Sequence, residues 1–262
     1  MNSTKAILLI PAVALCLLVQ AQPNATDLIK KMEETLGGWD KLWEQKDVQF
    51  DYDYTYPGKG VSDVSQERYI FEGEHSWAKY TKHQINVFPE KEGDVVQSLV
   101  ANKPACTLAG EAMLDQKVVG TSAFLRKANY FWFTMMYKLN NPGTVHEYIG
   151  EETISGTSYH KVKVSFEAEK TGKEQNDAYM LYINQDTNLV DLFYFSLPAM
   201  GVNDIALKME VNYEEINELL LPTKRSVYMP GEDGTFSNEP SLIQTSTNVK
   251  FNNGFTPEDL KI

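Results

Sequence analysis

The apolar positions of this chain follow two periods, and the switch between them marks out its elements. Leu28, Ile29, Met32 and Leu36 recur at helical spacing, with Thr26 or Asp27 placed to cap the first turn and Gly37-Gly38 to stop it. Trp39, Leu42 and Trp43 make one further helical turn. From Val48 the period becomes two: Val48, Phe50, Tyr52, Tyr54 and Tyr56 point one way, and Gln49, Asp51, Asp53 and Thr55 the other. That is a strand with one buried and one wet face, ended by Pro57-Gly58-Lys59-Gly60.

The same texture continues in Gln66–Phe71, Ser76–His83 and Val95–Val100. It returns in Val145–Ile154, Ser158–Phe166, Ala178–Asn184, Leu189–Leu197, Leu207–Ile216, Leu221–Met229 and Ser246–Phe251. Links as short as Ser155-Gly156 and Asn217-Glu218 make antiparallel hairpins rather than crossovers. The pattern predicts about ten or eleven antiparallel strands, and twist makes a sheet of that width curl. One helix interrupts the series, with Ser122 as its cap and Asn140-Asn141-Pro142-Gly143 as its stop. Phe124, Leu125, Ala128, Trp132, Met135, Met136 and Leu139 form its apolar stripe, and Tyr130, Phe131, Phe133 and Tyr137 fill much of the other side. A helix apolar nearly all round has to be surrounded. Either it fills the core, or helix and sheet enclose an apolar cavity between them; the two are compatible.

Residues 1–21 follow a different logic. Lys5, an apolar run from Ala6 to Val19 and Val19-Gln20-Ala21 have the layout of a secretory signal peptide cleaved after Ala21. The run is too short for a spanning helix, which needs roughly 20 residues. Leu15 before Cys16 is too bulky for a lipobox. The expected product is a single exported domain, 22–262, soluble in the periplasm or outside the cell. It retains one cysteine, Cys106, so no internal disulfide and no four-cysteine zinc site can form. The net charge of −12 argues against nucleic acid as a partner.

Catalytic constellations are sparse. His75, His83, His146 and His160 are scattered and none has metal-ligand spacing. Gly120-Thr121-Ser122-Ala123-Phe124 lacks the second glycine of a nucleophile elbow. Asp51 with Asp53, and Glu151 with Glu152, read as solvated faces of an acidic protein. No cofactor is expected.

Five stretches resemble a known group of proteins: 124–133 (FLRKANYFWF), Asn141-Pro142-Gly143, Leu181-Tyr182-Ile183-Asn184, Leu221-Pro222-Thr223-Lys224-Arg225 and Phe251-Asn252-Asn253-Gly254-Phe255. With the element order, they resemble an uncharacterised branch of secreted proteins related to the LolA/LolB-like superfamily of outer-membrane lipoprotein carriers. The resemblance implies a half-open β-barrel of antiparallel strands, its concave side covered by an N-terminal helix and one apolar helix. In the carriers that side takes up acyl chains or a lipid, and an arginine on an early strand latches the helices. Arg68 lies in roughly the matching strand, without the surrounding motif.

The expectation is a non-enzymatic envelope protein that binds a hydrophobic ligand, lipid or lipoprotein acyl chains, and that has an envelope protein as a further candidate partner. Trp77, Tyr80, Phe131, Trp132, Met135, Met136, Phe193 and Phe195 are the candidate cavity lining. Two alternatives stand beside it: an interaction protein with a filled core, and a hydrolase of envelope polymers.

Overall fold

The strands, in chain order, are β1 (Asp47–Tyr56), β2 (Val61–Ile70), β3 (His75–His83), β4 (Val95–Val100), β5 (Lys103–Leu108), β6 (Glu111–Ala112), β7 (Thr144–Ile154), β8 (Thr157–Phe166), β9 (Tyr179–Asn184), β10 (Val190–Leu197), β11 (Val202–Ile216), β12 (Leu219–Tyr228) and β13 (Leu242–Phe251). The computed structural model describes residues 22–171 and 176–262, so the predicted signal peptide lies outside the described residues. All thirteen strands join one antiparallel sheet in the order β6-β5-β4-β3-β2-β1-β13-β12-β11-β10-β9-β8-β7. Two meanders are thus sewn together by one non-local pairing, β1 against β13, with Val48 opposite Phe251 and Thr55 opposite Ile243. The sheet is curved and not closed, as the strand pattern and the resemblance predict.

Three helices matter for the site: α1 (Ala25–Thr35), α2 (Trp39–Glu44) and α3 (Gln116–Thr134). Leu125 of α3 packs with Ala78 and Tyr80 of β3, while Trp132 stacks on Phe193 of β10. β3 and β10 are six strand steps apart, about 29 Å across a flat sheet at ~4.8 Å per step. Leu125 and Trp132 are separated by only about 10 Å of helix rise. Both contacts exist because the sheet curls around the helix and brings distant strands to face each other. The main core lies in that concavity, between β1, β2, β8 to β13 and the helices.

Several predicted details change. Asn24, not Thr26 or Asp27, caps α1, its side chain accepting from both of their backbone N–H groups. α3 starts at Gln116 under the Asp115 carboxylate, so Ser122 is a fully buried residue inside the helix rather than its cap. The segment 116–121 has β-branched residues and a glycine and no apolar repeat, which hid the first turns. β5 and β6 were absent from the period-two pattern because β5 has one buried residue, Cys106, and Pro104 in its run.

The C-terminal stretch wraps the outer face. Asp47, 1% exposed, accepts four hydrogen bonds from it: from the backbone N–H and side-chain amide of Asn253 and from the N–H groups of Gly254 and Phe255, at 2.7–3.1 Å. Leu260 then packs on Ile70, Trp77 and Val100. Asp47→Ala orphans all four donors and is expected to cost about 3 kcal/mol, since an unmet buried polar group costs about 1–3 kcal/mol and some donors regain water. Urea unfolding measures the loss, and an unchanged midpoint would show that the C-terminal wrap is not held by this carboxylate.

Candidate functional site

The seam between α3 and the concave sheet holds most of the predicted lining residues. Alternation along β10 puts Phe193 and Phe195 on the inner face, fully or nearly fully buried. Phe131 stacks on Tyr179 with ring centroids 6.3 Å apart, and Trp132 meets Phe193 at 6.4 Å and the edge of Phe195 at 5.4 Å. Phe131 and Trp132 are only half-buried, whereas Met135 and Met136, in the 3-10 turn after α3, are buried. Tyr80 also faces the helix, in the neighbouring cluster with Val95 and Cys106.

Trp77 does not belong with them. It lies three residues from Tyr80 on β3, and residues an odd number apart on a strand face opposite ways. Trp77 sits on the outer face, stacked under the Arg68 guanidinium at 4.6 Å, with Phe255 at 4.8 Å on the same cation. Arg68 therefore stacks on the outer face beside Gln49 and Gln66 and does not reach the helices.

Two other arginines do. Arg126, at the centre of the inward stripe of α3, is 0% exposed and forms a two-pronged ion pair with the fully buried Glu67 of β2. Ser65 and Tyr69 also donate to that carboxylate, at 2.8 and 3.0 Å, and Arg126 donates to the Tyr80 hydroxyl at 2.7 Å. Burial alone would pull Arg126 down, but the Glu67 carboxylate offsets it and holds the guanidinium above its ordinary range. Burial likewise raises the Tyr69 and Tyr80 phenols, and Tyr52 to about 12, so these groups stay neutral hydroxyls. Arg225 of β12, 3% exposed, donates to the Trp132 carbonyl at 2.7 Å and to Gln244 at 3.0 Å. Trp132 is in the last turn of α3, where carbonyls lack helical partners, so Arg225 acts as a cap supplied by the sheet. The Tyr137 hydroxyl lies 2.9 Å from the Leu36 carbonyl and 3.0 Å from that of Leu220, tying the helix end to α1 and β12.

Sequence reasoning missed the Glu67–Arg126 pair. A signal existed: Ser122, Arg126, Tyr130 and Phe133 are spaced as one helix face, and Ser65, Glu67 and Tyr69 as one strand face. The inward line of α3 begins polar, with Ser122 and Arg126, while Phe124 of the predicted apolar stripe is 42% exposed.

Two of the four histidines are engaged by backbone carbonyls. His83 bonds the backbone carbonyls of Val87, Phe88 and Gly93, and His146 joins the Thr26 hydroxyl to the Leu139 carbonyl. Burial pushes the Cys106 thiol up, the opposite of an activated nucleophile. Among the described residues no three His, Cys, Asp or Glu side chains could hold a metal ion, and no helix is long and apolar enough to cross a membrane. Two surface clefts, of about 650 and 430 Å³, lie beside α1 and α2 and against β1 and β13; neither is lined by the eight predicted residues.

Comparisons bear on this geometry. The sequence profile of DUF6503, a family of unknown function, matches residues 15–227. No curated protein matches the chain significantly in sequence. A LolA superfamily protein from Nitrosomonas europaea superposes with a TM-score of 0.53 at 11% identity, covering 92% of this chain and 99% of that one. A DUF1329 family protein from Desulfovibrio piger gives a TM-score of 0.53 at 13% identity, covering 90% and 95%. The chain shares the fold of these two proteins, one of them a LolA superfamily protein.

The buried pair yields a measurable expectation. Arg126→Leu leaves Glu67 charged and without a counterion, which costs about 3–5 kcal/mol, whereas the double variant Glu67→Leu/Arg126→Leu recovers most of that loss. Urea midpoints of the two variants decide it; equal losses would mean that the pair does not govern how α3 is held.

Proposed function

Because this chain belongs to DUF6503, a family of unknown function, its role is argued from its own geometry, and we propose that it is a non-enzymatic envelope protein that takes up an apolar ligand between α3 and the concave sheet. The ligand class is lipid or lipoprotein acyl chains. Export by the 1–21 segment and a periplasmic or extracellular location are part of the same reading.

One observation carries it. Phe131 and Trp132 are only half-buried, over a floor of Tyr179, Phe193 and Phe195. An acyl chain entering between these rings and that floor would touch both, with the flexible Met135 and Met136 beside it. Each buried methylene contributes about 0.8 kcal/mol, so a dozen carbons supply about 10 kcal/mol toward parting the rings from the floor and ordering the chain. Beside its aromatic contacts, α3 and the turn after it are tied to the rest of the protein by discrete polar links at Arg126, Arg225 and Tyr137.

The filled-core reading has its own support. Phe50 stacks on Phe133 at 4.8 Å, and Tyr69 and Tyr130 pack edge-on beside them, so the β1–β2 side of the concavity is occupied by its own rings. Titration with a fluorescent fatty acid separates the two readings. Carrier function predicts saturable one-to-one binding that Trp132→Ala weakens at least tenfold while shifting the urea midpoint only slightly. If the wild type does not bind, or if binding and stability fall in proportion, Trp132 is plain core and the interaction-protein reading takes over.

A further inference from the structure

The larger of the two clefts shares no residue with the seam proposed for lipid, and its walls have a chemistry of their own. Its volume of about 650 Å³ is that of a small-molecule site. Gly37 has φ +110°, and a Cβ there would lie 2.6 Å from the Glu218 carbonyl oxygen, so only glycine makes this tight turn from α1 into α2. The turn sets Glu33 and Glu34 of α1 beside Asp40 and Glu44 of α2, while Asn140 and Asn141 close the other side. The cleft is therefore strongly acidic. Its one cation, Lys41, is engaged by Glu218 at 2.5 Å.

Glu33 is the anomaly. It is 5% exposed, and Asn140 donates to its Oε2 at 3.3 Å, but its Oε1 is buried with no partner. Other buried carboxylates of this protein are saturated: Asp47 accepts four hydrogen bonds, Glu67 is held by Arg126, and Asp63 accepts three from Ile85 and Asn86. A buried carboxylate oxygen left unmet is costly unless a donor arrives or the group takes up a proton. Burial accordingly pushes Glu33 up to about 7, with Asn140 and Lys30 pulling the other way.

Trp39 supplies the second wall. Its ring is 44% exposed, and its N–H donates to Asn141 at 3.2 Å, which fixes the indole plane at the cleft. A fixed indole face beside carboxylates suits a cation with an apolar stem. A bare metal ion does not fit, because no three acidic groups among the described residues converge on one point. We propose that this cleft binds an alkylammonium group, which donates to Glu33 Oε1 and lies against the Trp39 ring. Free polyamines and lysine side chains of a polypeptide share that chemistry.

Calorimetric titration of the mature chain at near-physiological salt tests it, with n-butylammonium, spermidine and Nα-acetyl-lysine N-methylamide as probes and butanol as the neutral control. The charged and titratable groups beside Glu33 and along the cleft are Lys30 and Glu34 on α1, Asp40, Lys41 and Glu44 on α2, and Glu218 before β12. The first expected result is saturable one-to-one binding of the amines and none of butanol. Affinity should rise about tenfold from pH 6 to pH 8 as Glu33 loses its proton. Glu33→Gln should flatten that dependence and weaken binding at least tenfold, and Trp39→Leu should weaken it about two- to fivefold. Tighter binding of spermidine identifies a free polyamine, and tighter binding of the lysine amide identifies a polypeptide; both support the site. The proposal fails if none of the three amines saturates at millimolar concentration, or if Glu33→Gln binds as the wild type does. Should Glu33→Gln not fold, Trp39→Leu and the wild-type pH profile decide: binding indifferent to both overturns it.

Discussion

β6 and β7 are neighbours in the chain and opposite edges of the sheet, so the residues between them must cross one face from rim to rim. Much of the architecture follows from that crossing. A helix is the economical way to carry backbone across an apolar surface, because it meets its own hydrogen bonds. The helix is short beside the flattened sheet, and the contacts at its two ends are made only because the sheet curls. The curl in turn creates a concave side, and whatever lies there is shared between the helix and distant strands. Fold and candidate site are therefore one structural fact.

The helix is seated by polar groups placed where an apolar stripe would be expected. Glu67 and Arg126 are both fully buried, with hydroxyls of Ser65, Tyr69 and Tyr80 saturating most of their valences. Such a pair adds little net stability compared with packed hydrocarbon, but it is directional and penalises misplacement. Arg225 repeats the device from the sheet, reaching a carbonyl at the helix end. The aromatic rings fill volume, and the arginines set the register of α3 over the strands.

Much of this was legible in the residues. β1 shows strict alternation because one face is core and the other water, and its bounds shift by one residue, from Val48 to Asp47. The two-residue turns at Ser155-Gly156 and Asn217-Glu218 identified their hairpins through residues that accept positive φ, and all four take it. What was not legible came from long-range pairing. Nothing local to Arg126 says that Glu67 lies above it, 59 residues away. Nothing local to Asn253 says that it folds back on Asp47. Trp77 is different: strand parity already separates it from Tyr80, and its size drew it into a lining that its position forbids. Glu33 reads as one more acidic residue on a helix until the turn at Gly37 folds α2 beside it.

The long edge of the sheet has a consequence for how the molecules behave together. Among the described residues β7 has no strand on its outer side, and a free edge eleven residues long is a template for a second chain. Its pairing with β8 shifts register between Tyr148 and Gly150, which breaks the flat edge in the middle. Glu147, Glu151 and Glu152 stand along it, so two such edges brought side by side would press carboxylates against carboxylates. In a protein with a net charge of −12, that edge resists fibril-like stacking at high concentration while leaving the curled interior free to be apolar.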